Sequence, residues 1–458
     1  MFGPLVCLIV GVGLILFLIL YLRFHAFLAL ISAALVVALL SDRIPLAEAI
    51  PMVTAGFGGM MEKIGILLIM AAIIGKCLMD SGAADRIVRG FTRLFGAGRE
   101  NYSLLSSSFV LAIPVFFDTV FYLLAPLARA VYTRRKKDYV MIVCAAAAGG
   151  AITHALVPPT PGPIAVAEKF QEMNVPVTIF MTMLVGVLAS IVPVFVGGVL
   201  YTNYINRKMT VIPKAMLGVS QEELEAIASK SDSELPNLFF SCLPFVLPVL
   251  LLAFSSIAAY ITHNEMLLVW IRFAGDKNVA FFIGALIAIG LLISQMKLSF
   301  DAACERLGPA IGSGAIIAFI TCAGGAFGSI LAQSGIGTYI ADAAKNWGLS
   351  LLVLAYLTST LIRVAQGSAT VAMITTAGII APSIGMVELG FHPVYLVCVI
   401  GFGASGFSWM NDSGFWIFSQ LTGLNETQTL KTWTALLTIM SVTGFLWVWL
   451  LTRILPLQ

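Results

Sequence analysis

Apolar residues run in long unbroken stretches along this chain, and polar residues gather in a few short places. The clearest apolar runs are 4–22, 24–41, 64–81, 104–131, 139–157, 176–200, 238–262, 279–296, 308–333, 351–385, 393–410 and 432–452. A bilayer-spanning helix needs about 20 mostly apolar residues. A membrane β-barrel would instead alternate every second residue. The pattern therefore predicts an all-α polytopic membrane protein. Composition agrees: of 458 residues, 59% are hydrophobic and only 11% charged, and the mean hydropathy is +0.99. A soluble domain carries about 25% charged residues. A water-soluble globule, a disordered tail and a nucleic-acid binder are excluded, and a net charge of +3 is too small to imply a polyanionic partner. The seven cysteines lie in or beside apolar runs without CxxC pairing, which reads as buried free thiols. The opening MFGPLVCLIVGVGLILFLIL has no basic leader and no small-residue cleavage site, so it reads as a first span.

Positive charge in short loops marks the cytoplasmic side. Arg86, Arg89, Arg93 and Arg99 form one basic loop, and Arg134, Arg135, Lys136 and Lys137 form the next. The segment between them, 104–131, must start and finish on the same side. Its 28 residues fall short of the roughly 40 that two crossings need. It reads as a re-entrant hairpin turning near Ile113–Thr119, where Pro114 lacks a backbone donor and Asp118 would be costly in lipid. Irregular backbone at that depth survives only inside protein or beside a wet cavity. Run 139–157 then meets Pro158, Pro159, Pro161 and Pro163, so 139–172 reads as one crossing broken in its middle. It ends in an external loop at Glu168, Lys169 and Glu172. The polar stretch 201–236 reads as a cytoplasmic linker, and 44–62 and 298–312 as interfacial arms.

The second half repeats the first. Gly75-x-x-Leu78-x-x-Ser81-Gly82 returns as Gly328-x-x-Leu331-x-x-Ser334-Gly335, an offset of 253. From Ser81 to Asp118 is 37 residues and from Ser334 to Gly367 is 33; from Ser81 to Thr160 is 79 and from Ser334 to Asp412 is 78. Four arginines follow Gly82, whereas only Asp342 and Lys345 follow Gly335, so the copies should lie in opposite orientation. The expected architecture is an inverted repeat of five transmembrane helices plus one hairpin per half. Residues 1–200 form the first copy, with its hairpin at about 104–131 and broken helix at about 139–172. Residues 237–458 form the second, with its hairpin at about 351–385 and broken helix at about 393–423. Both termini are expected outside. Inverted repeats with helices broken at the midplane are the architecture of secondary transporters.

The polar interruptions IPVFFDTVFYLLAPLARAV (113–131), HALVPPTPGP (154–163), RVAQGSATVA (363–372) and WMNDSGFW (409–416) resemble the gluconate permease family of proton-coupled sugar-acid symporters. The resemblance covers about residues 50–425. It implies import of gluconate or a related small sugar acid or hydroxy acid with a proton across the bacterial inner membrane. The wider ion transporter superfamily implies a homodimer with a scaffold domain and a moving transport domain, an elevator. D-serine carriers are close relatives.

The candidate site residues follow from chemistry at these interruptions. Arg363 offers a guanidinium fork for a carboxylate, or it snorkels or pairs with an internal carboxylate. Gln366, Ser368 and Thr370 offer amide and hydroxyl groups beside Gly367, where backbone can approach a ligand; they could equally bond their own backbone. Asn411, Asp412 and Ser413 sit at a break whose freed helix N-terminus attracts anions, with an ordinary cap as the alternative. Thr160 and Gly162 stand at the proline-rich break. Asp118 and His154 are candidate proton carriers, or an ion-paired and a hydrogen-bonded structural residue. Lys76 reads as a snorkelling or ion-paired side chain, and Glu62 as solvated. No metal site, cofactor or enzymatic motif such as HExxH or GxSxG is expected. A sodium-coupled carrier of a small organic anion or of a D-serine-like amino acid is the alternative on the same scaffold.

Overall fold

The structure, a computed structural model, describes residues 3–457 except 97, 114, 210, 212–233, 263, 337, 340–341, 343–349 and 411. Most of the 201–236 linker therefore lies outside the described residues.

Helix α1 (Pro4–Leu16) continues through a π turn to Tyr21, and α2 (Ala26–Leu40) packs beside it. Helix α3 (Leu46–Asp80) is continuous over 35 residues. The arm expected at 44–62 thus runs into the following span without a break, because only Pro51 interrupts a sequence that otherwise favours helix. Lys76 lies on α3 and pairs with Asp80 at 2.8 Å, one turn on. The basic segment after Gly82 is itself a helix, α4 (Ala83–Phe95): Ala83, Ala84, Ile87 and Val88 are buried, while Arg86, Arg89 and Arg93 recur at helical spacing on another face.

Next come α5 (Glu100–Leu111), α6 (Phe117–Arg135), α7 (Tyr139–Leu156) and α8 (Pro161–Glu172). The guanidinium of Arg135 donates to Glu100 at 2.7 Å and to Asp138 at 3.2 Å, so the start of α5 and the end of α6 meet. Glu168 and Lys169 of α8 are buried and not solvated. Glu168 pairs with Lys277, and Glu172 pairs with Lys169 at 2.7 Å and Lys63 at 3.1 Å. Burying these charges is tolerable because each has a partner. Helix α9 (Ile179–Lys208) follows.

Beyond the linker lie α10 (Leu238–Ile261), α11 (Glu265–Ala274), α12 (Lys277–Met296), α13 (Phe300–Gln333), α14 (Leu351–Gln366), α15 (Ala369–Ile384), α16 (Val394–Ser405), α17 (Ser413–Thr422) and α18 (Glu426–Ile454). As with α3, the arm at 298–312 is the first part of the long helix α13. Among the described residues, seven helical stretches are long and apolar enough to cross a membrane. All seven cysteines are free; Cys304, at the start of α13, is exposed and Cys242 half-buried, whereas the other five are buried.

The two longest helices, α3 and α13, pack along each other. Around them α2 packs on α13 and α12 on α3; α5 packs on α7 and α14 on α16; α6 meets α17 and α15 meets α8; α9 packs on α18. Helices in lipid associate by close packing more than by the hydrophobic effect, so small residues line their contacts. Residues 144–150 of α7, Cys-Ala-Ala-Ala-Ala-Gly-Gly, are buried throughout. A Cβ on Gly149 would sit 2.2 Å from the carbonyl oxygen of Leu105, and one on Gly403 would sit 2.7 Å from that of Tyr356.

Candidate functional site

Four short backbone interruptions separate α5 from α6, α7 from α8, α14 from α15, and α16 from α17. Three of them have a local signal among the described residues. Val157 is extended because prolines follow it. Gly367 ends α14 in the left-handed region at φ +82°, which a residue without Cβ adopts without cost. Ser368 then caps α15 by accepting from the N–H of Val371 at 3.4 Å. Asp412 caps α17 by accepting from the N–H of Gly414 at 3.1 Å.

The interruptions meet at one cavity of about 640 Å³. Its lining includes the first residues of four helices: Phe117 and Asp118 of α6, Pro161 of α8, Ala369 and Thr370 of α15, and Gly414 of α17. His154 and Arg363, near the ends of α7 and α14, face it too, with Gly367, Ser368, Ser405 and Asp412. Apolar lining from other helices completes it: Ala26 of α2, Ile317 and Ile320 of α13, and Leu437 of α18.

Arg363 is 4% exposed and Asp412 8%. The guanidinium donates to Asp412 Oδ2 at 2.5 Å and to the carbonyl oxygen of Gly367. The same carboxylate oxygen accepts from the Ser408 hydroxyl, and Ser408 accepts in turn from the indole N–H of Trp433 at 2.6 Å. Trp433 packs on Phe117 and Phe418, with centroids 5.1 and 5.4 Å away. The pair is therefore held in place by a rigid aromatic support. Arg363 Nε and His154 Nδ1 are buried without a hydrogen-bond partner among the described residues. Asp118 is open to the cavity, makes no hydrogen bond or ion pair among the described residues, and lies in electrostatic range of Asp412. A concave site lined by convergent polar residues, two of which keep a buried polar atom without a partner among the described residues, is the candidate ligand site.

Of the residues singled out in the sequence, Asp118, His154, Arg363, Gly367, Ser368, Thr370 and Asp412 meet at this cavity. Gln366 closes α14 and Ser413 opens α17, next to it in the chain. Asn411 lies outside the described residues. Thr160 and Gly162 are beside the cavity and not among its lining residues: the Thr160 hydroxyl donates to the Val157 carbonyl at 2.7 Å, and Gly162 packs on Met373. Sequence reasoning missed Ser408 and Trp433. Ser408 stands four residues before Asp412, a spacing that could have suggested it. Trp433, in the last apolar run, gave no such signal.

The arrangement is that of a candidate ligand site. A family model described as GntP family permease matches residues 3–454. The Gnt-II system L-idonate transporter of Escherichia coli is 31% identical over 444 residues, 97% of this chain and 98% of that protein. A gluconate permease of Pseudomonas aeruginosa is 32% identical over 435 residues, 94% of each. The crystal structure of the Alcanivorax borkumensis YdaH transporter superposes with a TM-score of 0.62 at 15% identity, covering 94% of this chain and 98% of that one, which shows a shared fold. The chain belongs to the GntP permease family: it is a multi-pass transport protein of the bacterial inner membrane and not an enzyme.

Proposed function

We propose that the protein imports gluconate or a closely related sugar acid together with a proton, and that the 640 Å³ cavity is the substrate site. The observation that carries this reading is the meeting of four helix N-termini at a cavity that also holds Arg363. A helix N-terminus carries the positive end of a dipole and N–H groups without helical partners, although in α8 Pro161 and Pro163 leave only the Gly162 N–H to serve. Such ends bind carboxylates, and Arg363 Nε is a free donor beside them. Ser368, Thr370 and His154 are placed to meet the hydroxyls of a polyol chain. The names of the relatives support the same substrate class.

The proton belongs to Asp118 in this reading, with His154 as the second candidate. Arg363 and Asp412 neutralise each other, so an ionised Asp118 would leave the cavity with a negative charge and repel an anion. Protonation removes that repulsion, and anion and proton then bind together. The linked requirement is what symport needs.

The reading includes an inverted repeat of residues 1–200 and 237–458, each with a re-entrant hairpin and a broken helix. It is supported by matched packing partners, such as α5 on α7 and α14 on α16, each with a glycine against a carbonyl. The Arg135–Glu100 pair supports a hairpin whose ends share a side. The broken helices and hairpins supply most of the cavity's lining and α2 and α13 supply Ala26, Ile317 and Ile320, a division that suits elevator motion of a homodimer. Counterflow in proteoliposomes against gluconate, L-idonate, D-serine and dicarboxylates tests the substrate class. Gluconate or idonate should exchange; exchange of D-serine or dicarboxylates alone would overturn the sugar-acid reading.

A further inference from the structure

Helices α6 and α17 carry the two cavity carboxylates, Asp118 and Asp412, at their first turns. One turn into α6 and midway along α17, Phe121 and Phe418 stack with centroids 5.4 Å apart. Farther on, Arg129 of α6 donates from Nε to the carbonyl oxygen of Leu421 at 3.2 Å. The order of these two contacts along both helices shows that they run side by side in the same direction. Arg129 is buried at 8% exposure. Leu421 is in the last turn of α17, where carbonyls lack helical partners and the dipole is negative. Tyr139, the first residue of α7, donates its hydroxyl to the next carbonyl, that of Thr422, at 2.6 Å.

We propose that Arg129 is a positioning residue for the transport site. It touches neither cavity nor substrate. By gripping the far end of α17 from α6, it sets the register between the two helices and so the spacing of Asp118 from the Asp412–Arg363 pair. Helix α17 has ten residues, too few to hold its own position without anchors at both ends. Asp412 anchors one end, and Arg129 with Tyr139 anchors the other. The consequence for transport rests on the substrate site proposed above; the register claim does not.

Two readouts on a cysteine-free background test it. First, Phe121→Cys with Phe418→Cys, treated with a short bifunctional thiol reagent, reports register without any substrate. Arg129→Met should lose the cross-link and Arg129→Lys should keep it. Second, KM for gluconate should rise by about ten-fold or more in Arg129→Met, the scale of a lost hydrogen bond to a charged group, with Arg129→Lys near wild type. A residue that only stabilised the fold would lower the amount of active protein and leave KM alone. Should Arg129→Met fail to fold, Tyr139→Phe removes one hydroxyl and should raise KM in the same direction by a smaller factor. A full cross-link with unchanged KM in Arg129→Met, or unchanged KM in Tyr139→Phe where only that variant folds, overturns the proposal. If the wild type moves no gluconate, the substrate reading fails and the cross-link alone decides.

Discussion

Arg363 Nη2 lies 2.5 Å from Asp412 Oδ2, although the two are 49 residues apart in sequence. The contact joins the end of α14 to the cap of α17 in the cavity lining. Arg363 is thus a structural cation, and in the proposed site it is also the donor to the substrate carboxylate. Substitution should separate the roles. Arg363→Lys keeps the charge for Asp412 but loses the fork. Gluconate binding to purified protein should weaken by about 1.5–3 kcal/mol, the scale of a charged hydrogen bond, with the fold retained. Arg363→Met should instead destabilise the protein by about 3–5 kcal/mol, because Asp412 stays buried without its counter-ion. Binding titrations and thermal unfolding check the two outcomes.

The ion pair at the outer end of α5 and α6 makes a topological prediction. Arg135 reaches both Glu100 and the carbonyl of Gly98. Single cysteines at positions 98 and 136 should label from the same side of the membrane in a cysteine-free background. Opposite accessibility would rule out the hairpin.

The same pair predicts a pH dependence. Burial works against ionisation of Glu100, but its own N–H, that of Gly98 and the Arg135 guanidinium outweigh it and hold the carboxyl below its ordinary value. A carboxyl depressed in the folded state stabilises the fold above its unfolded value. That contribution is lost as pH falls through the folded value. Glu100→Gln should therefore lower the melting temperature at neutral pH, and the gap from wild type should close below about pH 4. A gap that persists in acid would show that ionisation of Glu100 is not the cause.

The apolar runs made the all-α membrane class legible, and the polar interruptions located the cavity. Pro158, Gly367 and Asp412 break helices for reasons visible in the sequence. Three features were not visible. The arms at 44–62 and 298–312 join their spans, because no residue type separates an interfacial helix from the start of a long one. Arg86, Arg89 and Arg93 sit on a helix, which a reading of their charge alone did not reveal. The support of Asp412 by Ser408 and Trp433 depends on α18 packing against a break some 20 residues earlier, and no local pattern encodes that. At the proline-rich break Pro161 lines the cavity, while the Thr160 hydroxyl bonds the Val157 carbonyl, a side-chain choice that no sequence pattern shows.

The central claim is that Asp118 carries the proton that admits a sugar-acid anion. One anion with one proton makes the cycle electroneutral, so a pH gradient, acid outside, should drive accumulation without sodium and with the membrane potential clamped at zero. The decisive measurement is gluconate accumulation in proteoliposomes under that gradient, for wild type and Asp118→Asn in parallel. The substitution mimics the protonated acid, so exchange of bound substrate should persist in part while accumulation is abolished. Full pH-driven accumulation by Asp118→Asn, or strict dependence of wild-type uptake on sodium, would contradict the account.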